Sequence, residues 1–374
     1  MDKLMNLGIS TSIVVVVYFL QLILPCLAFT SFLFGDSLAD AGNNDYIFTF
    51  SKADSPPYGI DFKPSGGRPT GRFTNGRTIS DILGQALGAK SFPPPFLAPN
   101  ATQANSLLTG INYASGASGI LDQTGFLFIG RVSLRHQVNY FEQTRAYMVK
   151  IMGENGTKEF LKKAIFSLTI GSNDILNYVQ PLIPFFGHDK VSPSMFQDFM
   201  VSNLTVQLKR LHDLGARKFV VVGIGPLGCI PIVRALNLVS TGDCSVEINE
   251  LIRGYNKKLN ETLQGLNQEL GPEAVLVYAN PYDIFLRIVL NYDQYGFENA
   301  YKPCCGGYFP FFLCLKGSNG NTSSTACEDR SKYVFWDAFH PTEAANLFIA
   351  KELLDGDPSV TFPINIRELY NYKS

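Results

Sequence analysis

The sequence predicts an α/β fold, a three-layer α/β/α sandwich around a mostly parallel sheet. Three observations point there. Short apolar, β-branched runs alternate with longer segments of helical periodicity. Two of those runs, "AIFSLTI" (164–170) and "KFVVVGI" (218–224), are apolar almost throughout, as parallel strands covered on both faces are. No Pro/Ser linker divides the alternation, so residues 29–374 read as a single domain.

The elements follow in chain order. "SFLF" (31–34) is the first candidate strand and breaks into Gly35-Asp36-Ser37-Leu38. "RTISDILGQALG" (77–88) reads as a helix and the Pro-rich "SFPPPFLAPN" (91–100) as a surface loop. "INYAS" (111–115) is the second candidate strand. A helix over 132–153 buries Leu134, Val138, Phe141 and Val149 at near-helical spacing and carries His136 as a surface or packing histidine. Helices over 193–215 and 245–271, each ending in Gly, flank the 218–224 strand. "AVLVYAN" (274–280) is the fifth candidate strand, and a last helix follows Pro341 through "TEAANLFIAKELL".

Composition narrows the function. The 374 residues carry 31 Lys and Arg against 32 Asp and Glu, with no basic block or basic-aromatic stripe, which argues against a nucleic-acid partner. The four histidines, His136, His188, His212 and His340, are scattered without metal-binding spacing, so a catalytic metal is not expected. The apolar stretch after Lys3, "ISTSIVVVVYFLQLILPCLAF", has the form of a secretory signal peptide over residues 1–28. An uncleaved anchor is the competing reading, weakened by Gln21 and Pro25. No second segment is long enough to span a bilayer. Without Cys26 six cysteines remain, an even number that suggests disulfides, with Cys229–Cys244 a plausible local bridge and the other pairings open. Asn100, Asn155, Asn203, Asn260 and Asn321 each begin an Asn-x-Ser/Thr glycosylation triplet.

Ligands of an open parallel sheet bind beyond the carboxyl ends of its strands. There the chain places Ser37, Gly116, Asn173 and, after "YVFW", Asp337 and His340. A serine hydroxyl needs a base to take its proton, which His340 can do, with Asp337 orienting the ring. The amides of Ser37 and Gly116 and the side chain of Asn173 can donate to an oxyanion. Taken singly, each has a plainer use: Ser37 as a helix cap, Gly-x-Asn-Asp as a turn, Asp337 and His340 as the loop before the last helix. Asp36 has no proton-transfer role in this scheme and is expected to position the turn.

The same residues resemble the plant-type GDSL esterase/lipases of the SGNH hydrolase superfamily. The similarity runs through "FGDSLADAGNN", "PPYGIDF" (56–62), "GRFTNGRTISDILGQALG" (71–88), "INYASGASGILDQTG" (111–125), "SLTIGSNDILNYV" (167–179), "GIGPLGCIP" (223–231) and "YVFWDAFHPTEAAN" (333–346). It implies a five-stranded, flavodoxin-like sheet. It also implies Ser37 as nucleophile, Asp337 and His340 completing the triad, and Ser37, Gly116 and Asn173 as oxyanion hole. No cofactor is implied. The expected product is a secreted enzyme, extracellular or in the cell wall, that hydrolyses small-molecule acyl esters through an acyl-serine. An acyltransferase using the same triad, or a lipid- or glycan-binding protein on the same scaffold, is the alternative. Two features depart from the pattern. Almost no spacer separates the leader from Ser37, and the 304–327 connection carries Tyr308, Phe309, Phe311, Phe312 and Leu313, which can line an acyl pocket or simply cover the core. The stretch 177–189 is expected to wall the acyl side.

Overall fold

The computed structural model describes residues 29–373 apart from 100, 102–103, 180–190, 237–242, 307–313 and 315–325. Its sheet runs in the order β1 (Ser31–Gly35), β2 (Ile165–Thr169), β3 (Lys218–Val222), β4 (Val275–Ala279) and β5 (Thr361–Phe362). The first four are parallel and β5 pairs antiparallel to β4. Two groups of helices flank it. One comprises α2 (Leu134–Lys163), α4 (Pro193–Asp213) and α5 (Val246–Leu270), which pack on one another. The other comprises α1 (Ile79–Ala86), α6 (Pro281–Leu290), α7 (Glu343–Asp355) and α8 (Ile366–Asn371), gathered around α7. A further helix, α3 (Ser172–Val179), follows β2 directly.

Local chemistry explains the boundaries. The side chains of Ser192 and Ser245 accept the amides of Met195 and Ile248 and open α4 and α5, and Pro193 occupies the first helical turn. Thr78 and Asp81 form a reciprocal capping box at α1. Period-two alternation puts Phe32 and Phe34 of β1 on one face, where they meet Phe166 (5.1 Å) and Tyr113 (5.0 Å) between ring centres. Phe141 of α2 stands edge-on to Phe166 at 5.2 Å, closing the core over the middle of the sheet.

Three expectations change. Residues 111–115 are not a strand, although they run parallel beside β1 through Leu33 N–Ile111 O (3.0 Å), Tyr113 N–Leu33 O (2.7 Å) and Ser115 N–Gly35 O (3.0 Å). The Asn112 side chain takes the amide of Ala114 and donates to Ala39 O, so local bonds compete with a regular ladder. The Pro-rich 91–100 loop covers the outer edge, pairing Pro94 and Phe96 with Asn112. The fifth strand is the two-residue β5 instead. Secondly, the helix expected over 132–153 does break at Gly153, where φ is +73°, but a second helical segment follows the kink to Lys163, and α2 comprises both. Thirdly, no α-helix starts at Ser37, and the first helix to come after it is a short 3-10 helix, Asn43–Tyr46. A single turn closes from Asp40 N to Asp36 O, and the Asp40 carboxylate then takes the amides of Gly42 and Asn43.

The six cysteines form Cys229–Cys244, Cys304–Cys327 and Cys305–Cys314. The leader 1–28, the aromatic residues of 307–313, most of 177–189, His188, Asn100 and Asn321 lie outside the described residues. Among the described residues no helix is long and apolar enough to cross a membrane.

Gln137 of α2, fully buried, fastens the end of β1. Its oxygen takes the Gly35 amide and its nitrogen reaches the carbonyls of Gly35 and Val132. Gln137→Leu leaves that amide without a partner and is expected to cost about 2–3 kcal/mol of stability, read as a lower denaturation midpoint with an unchanged m-value.

Candidate active site

The carboxyl ends of β1 and β2 and the loop before α7 bring Ser37, Asn173, Asp337 and His340 to one cleft. Ser37 Oγ lies 2.7 Å from His340 Nε2. On the other side of the ring, Nδ1 is 2.8 Å from both oxygens of Asp337. With Nδ1 as donor to that carboxylate, Nε2 presents its lone pair to the serine.

Asp337 is buried, and every direction around it supplies a donor. The amides of Phe339 and His340 reach Oδ1 at 2.9 and 2.8 Å. The hydroxyl of Tyr58 donates to Oδ2 at 2.9 Å. Burial alone would raise this carboxyl, but the His340 charge, its side-chain bond and the two amides hold it below the ordinary carboxylate value. Tyr58 was not legible as a site residue, since 279 positions separate it from Asp337.

Two structures grip the Asp337–His340 loop. On one side residues 58–77 act as a strap. Thr74 Oγ1 donates to Pro341 O (3.0 Å), Asn75 Oδ1 takes the Glu343 amide (2.9 Å), and Arg77 holds the Glu343 carboxylate. Asp61 binds Arg330 through two bonds, and buried Arg72 pairs with Asp81 at 2.7 Å. On the other side the disulfide-linked residues Cys304 and Cys305 donate their amides to Phe335 O and Trp336 O. Trp336, Tyr58, Phe73 and the cysteines form a small second core, and the Phe73 ring lies 5.2 Å from the imidazole.

One of the three candidate oxyanion donors is bonded elsewhere. The Gly116 amide donates to Asp40 Oδ2 at 2.9 Å and is therefore engaged within the protein. Its glycine is required by packing, because a Cβ there would stand 2.6 Å from the Phe73 ring. The next residue, Ala117, lines the cleft, and its N–H meets no acceptor among the described residues. Ala117 has φ of +64°, unusual for a residue with a Cβ. The Ser37 N–H is likewise without an acceptor among the described residues. Asn173 lines the same cleft and gives one of its two amide hydrogens to Ser118 O.

Behind these groups lie buried carboxylates. Asp36 takes the Leu38 amide with one oxygen, while the other meets no donor, and burial pushes it up to about 7. Burial likewise raises Asp174 to about 6, against its bonds from Thr124 Oγ1 and the amides of Leu121 and Ile120. The remaining cleft wall is largely apolar, with Phe50, Phe128, Leu176, Leu227, Ile230 and Phe339 beside the polar Ser51, Lys52 and Ser172. Exposed His136 bonds Ser133, far from this chemistry in sequence and role. Among the described residues, no group of three or more His, Cys, Asp or Glu is placed to hold a metal ion.

The model of the GDSL-like lipase/acylhydrolase family matches residues 32–353. Three GDSL esterase/lipases of Arabidopsis thaliana are similar over nearly the whole chain. One is 67% identical over 345 residues, covering 91% of this chain and 93% of its own. The other two are each 48% identical over 344 residues, covering 91% of this chain and 87% and 90% of theirs.

Tyr58→Phe keeps the ring packing and removes one donor from Asp337. It is expected to lower kcat about 3- to 30-fold with little change in KM, measured on a soluble ester. A carboxyl raised by folding stabilises the protein fully below its unfolded value, and that contribution is lost as pH climbs through the raised value. Asp36 should therefore make the melting temperature fall between about pH 4 and about pH 7, and Asp36→Asn should remove part of the fall. A melting temperature that rises over that window, or a fall unchanged by the substitution, contradicts the assignment.

Proposed function

The chain belongs to the GDSL lipase/acylhydrolase family as a plant-type esterase/lipase, a carboxylic ester hydrolase, and on that premise we propose that it acts through an acyl-serine intermediate on Ser37. The observation that carries the reading is the 2.7 Å contact between Ser37 Oγ and His340 Nε2, with Asp337 behind the ring. His340 takes the hydroxyl proton as Oγ attacks the ester carbonyl. Asp337, held ionised, stabilises the imidazolium that forms. The tetrahedral oxyanion is met by the Ser37 amide, the Asn173 side chain and the Ala117 amide, the last in place of Gly116. A buried N–H without a partner is rare, and one lining a cleft beside a serine–histidine pair is suited to a charge that exists only in the transition state. His340 then gives its proton to the departing alkoxide. In the second half water attacks the acyl carbonyl, His340 takes its proton and returns it to Ser37 Oγ as that oxygen departs, and the acid is released.

The substrate reading follows from the wall. Apolar Leu176, Leu227, Ile230 and Phe339 favour an aliphatic acyl group over a small acyl on a polar sugar. We infer one domain from residue 29 onward, supported by a core that runs through every strand of the parallel sheet. Secretion is supported by the three disulfides and the apolar leader. Of the described glycosylation candidates, Asn155 and Asn203 are exposed and Asn260 is half-buried.

Labelling with a fluorophosphonate probe tests the mechanism. The native protein should be labelled once, at Ser37. Ser37→Ala should lose labelling and at least about a thousandfold of ester turnover while keeping its melting temperature. Labelling or turnover that survives the substitution would overturn the assignment.

A further inference from the structure

Two loops beside the cleft, 43–51 and 125–130, are joined to each other and carry an unusual set of side chains. The Phe50 amide and the Thr49 hydroxyl both donate to Phe128 O, at 3.1 and 3.0 Å. Gly130 lies so close that a Cβ there would come within 2.1 Å of Phe48 O. From this platform Phe48 is 77% exposed, Phe50 70%, Leu127 53%, and Phe126 and Ile129 each 50%. Single exposed apolar residues are ordinary, but five on two interlocked loops form a patch that water does not favour. The Phe48 and Phe50 rings lie 6.4 Å apart, and Ile129 is held at φ +68°, a strained conformation for a β-branched residue.

The patch is continuous with the catalytic cleft. Phe50 and Phe128 line that cleft together with Ser37 and His340. At the other end of the second loop, Gly125 abuts the carbonyl of Ala117, where a Cβ would come within 1.9 Å of the oxygen. The cations beside the patch are turned onto protein groups. Lys52 reaches Asp45 O and the Asp54 carboxylate, and Arg131 donates to the carbonyls of Thr124, Ile129 and Asp122. Among the described residues, that leaves an apolar rim without a basic collar for an anionic surface.

We propose that this rim docks the protein onto a condensed, uncharged aliphatic ester phase, so that an acyl chain passes from that phase along Phe50 to Ser37. The proposal rests on the catalytic reading of Ser37 for what the docking delivers, but adsorption itself does not depend on it. The rim's position at the cleft mouth, its apolar character and its lack of free positive charge fit such a phase better than an anionic membrane.

The test uses the triple variant Phe48→Ser/Phe126→Ser/Leu127→Ser, which leaves the cleft lining intact, assayed on a dissolved short-chain ester and on an emulsified long-chain triacylglycerol. Turnover of the dissolved ester should stay within about twofold, and turnover of the emulsion should fall at least about tenfold. Flotation with the same uncharged droplets, measured in a Ser37→Ala background, should be seen without the triple change and lost with it. A triple variant that floats and turns over emulsion as before overturns the proposal. So does a protein that fails to float, or one in which the rim binds a second protein copy instead of droplets. Absence of turnover on both substrates with flotation intact would sink the catalytic reading alone and uphold adsorption.

Discussion

A buried carboxylate must find donors on every side, and the architecture around Asp337 follows from that requirement. Two amides, an imidazole and the Tyr58 hydroxyl satisfy it. Each of those donors has to be held in turn. Tyr58 sits at the start of the 58–77 strap, whose remaining bonds go to Pro341 and Glu343 just beyond the histidine. The disulfide-linked segment holds Phe335 and Trp336 just before the aspartate. The loop between is therefore fixed at both ends, and the imidazole has one position facing Ser37.

A second set of carboxylates organises the opposite wall. Asp40 takes the amide of Gly116, and Asp174 takes those of Ile120 and Leu121. The segment between these anchors includes Ala117 and Ser118, so its backbone direction is set from both ends. Because Gly116 is turned toward Asp40, the next peptide is free to present its N–H to the cleft. The positive φ of Ala117 is the local cost of that reversal.

Much of this was legible in the sequence. Strand ends in a parallel sheet are where ligands bind, and residues of nucleophile, base and acid type stood at those ends. The strands 164–170, 218–224 and 274–280 were visible because strands covered on both faces read as continuous apolar runs, and the long helices because one covered face leaves a helical period. What failed had identifiable causes. The stretch 111–115 has strand composition, but the side chain of Asn112 diverts its hydrogen bonds. A two-residue strand such as β5 leaves no periodic trace. That the Gly116 amide would be taken by Asp40 was not legible, because spacing cannot tell which of two adjacent amides a turn will expose. Tyr58 escaped because its partner is contributed by the far end of the chain.

That last distance has a wider meaning. Ser37 lies near the beginning of the described chain and His340 near its end, 303 positions apart, and the loop bearing His340 is braced by bonds between cysteines. On the catalytic reading proposed for Ser37, a nascent chain therefore carries that hydroxyl long before the base that would take its proton has been made. Competence would then come only with the last part of the chain, once His340 is set against the strap, and a truncated chain would be inert.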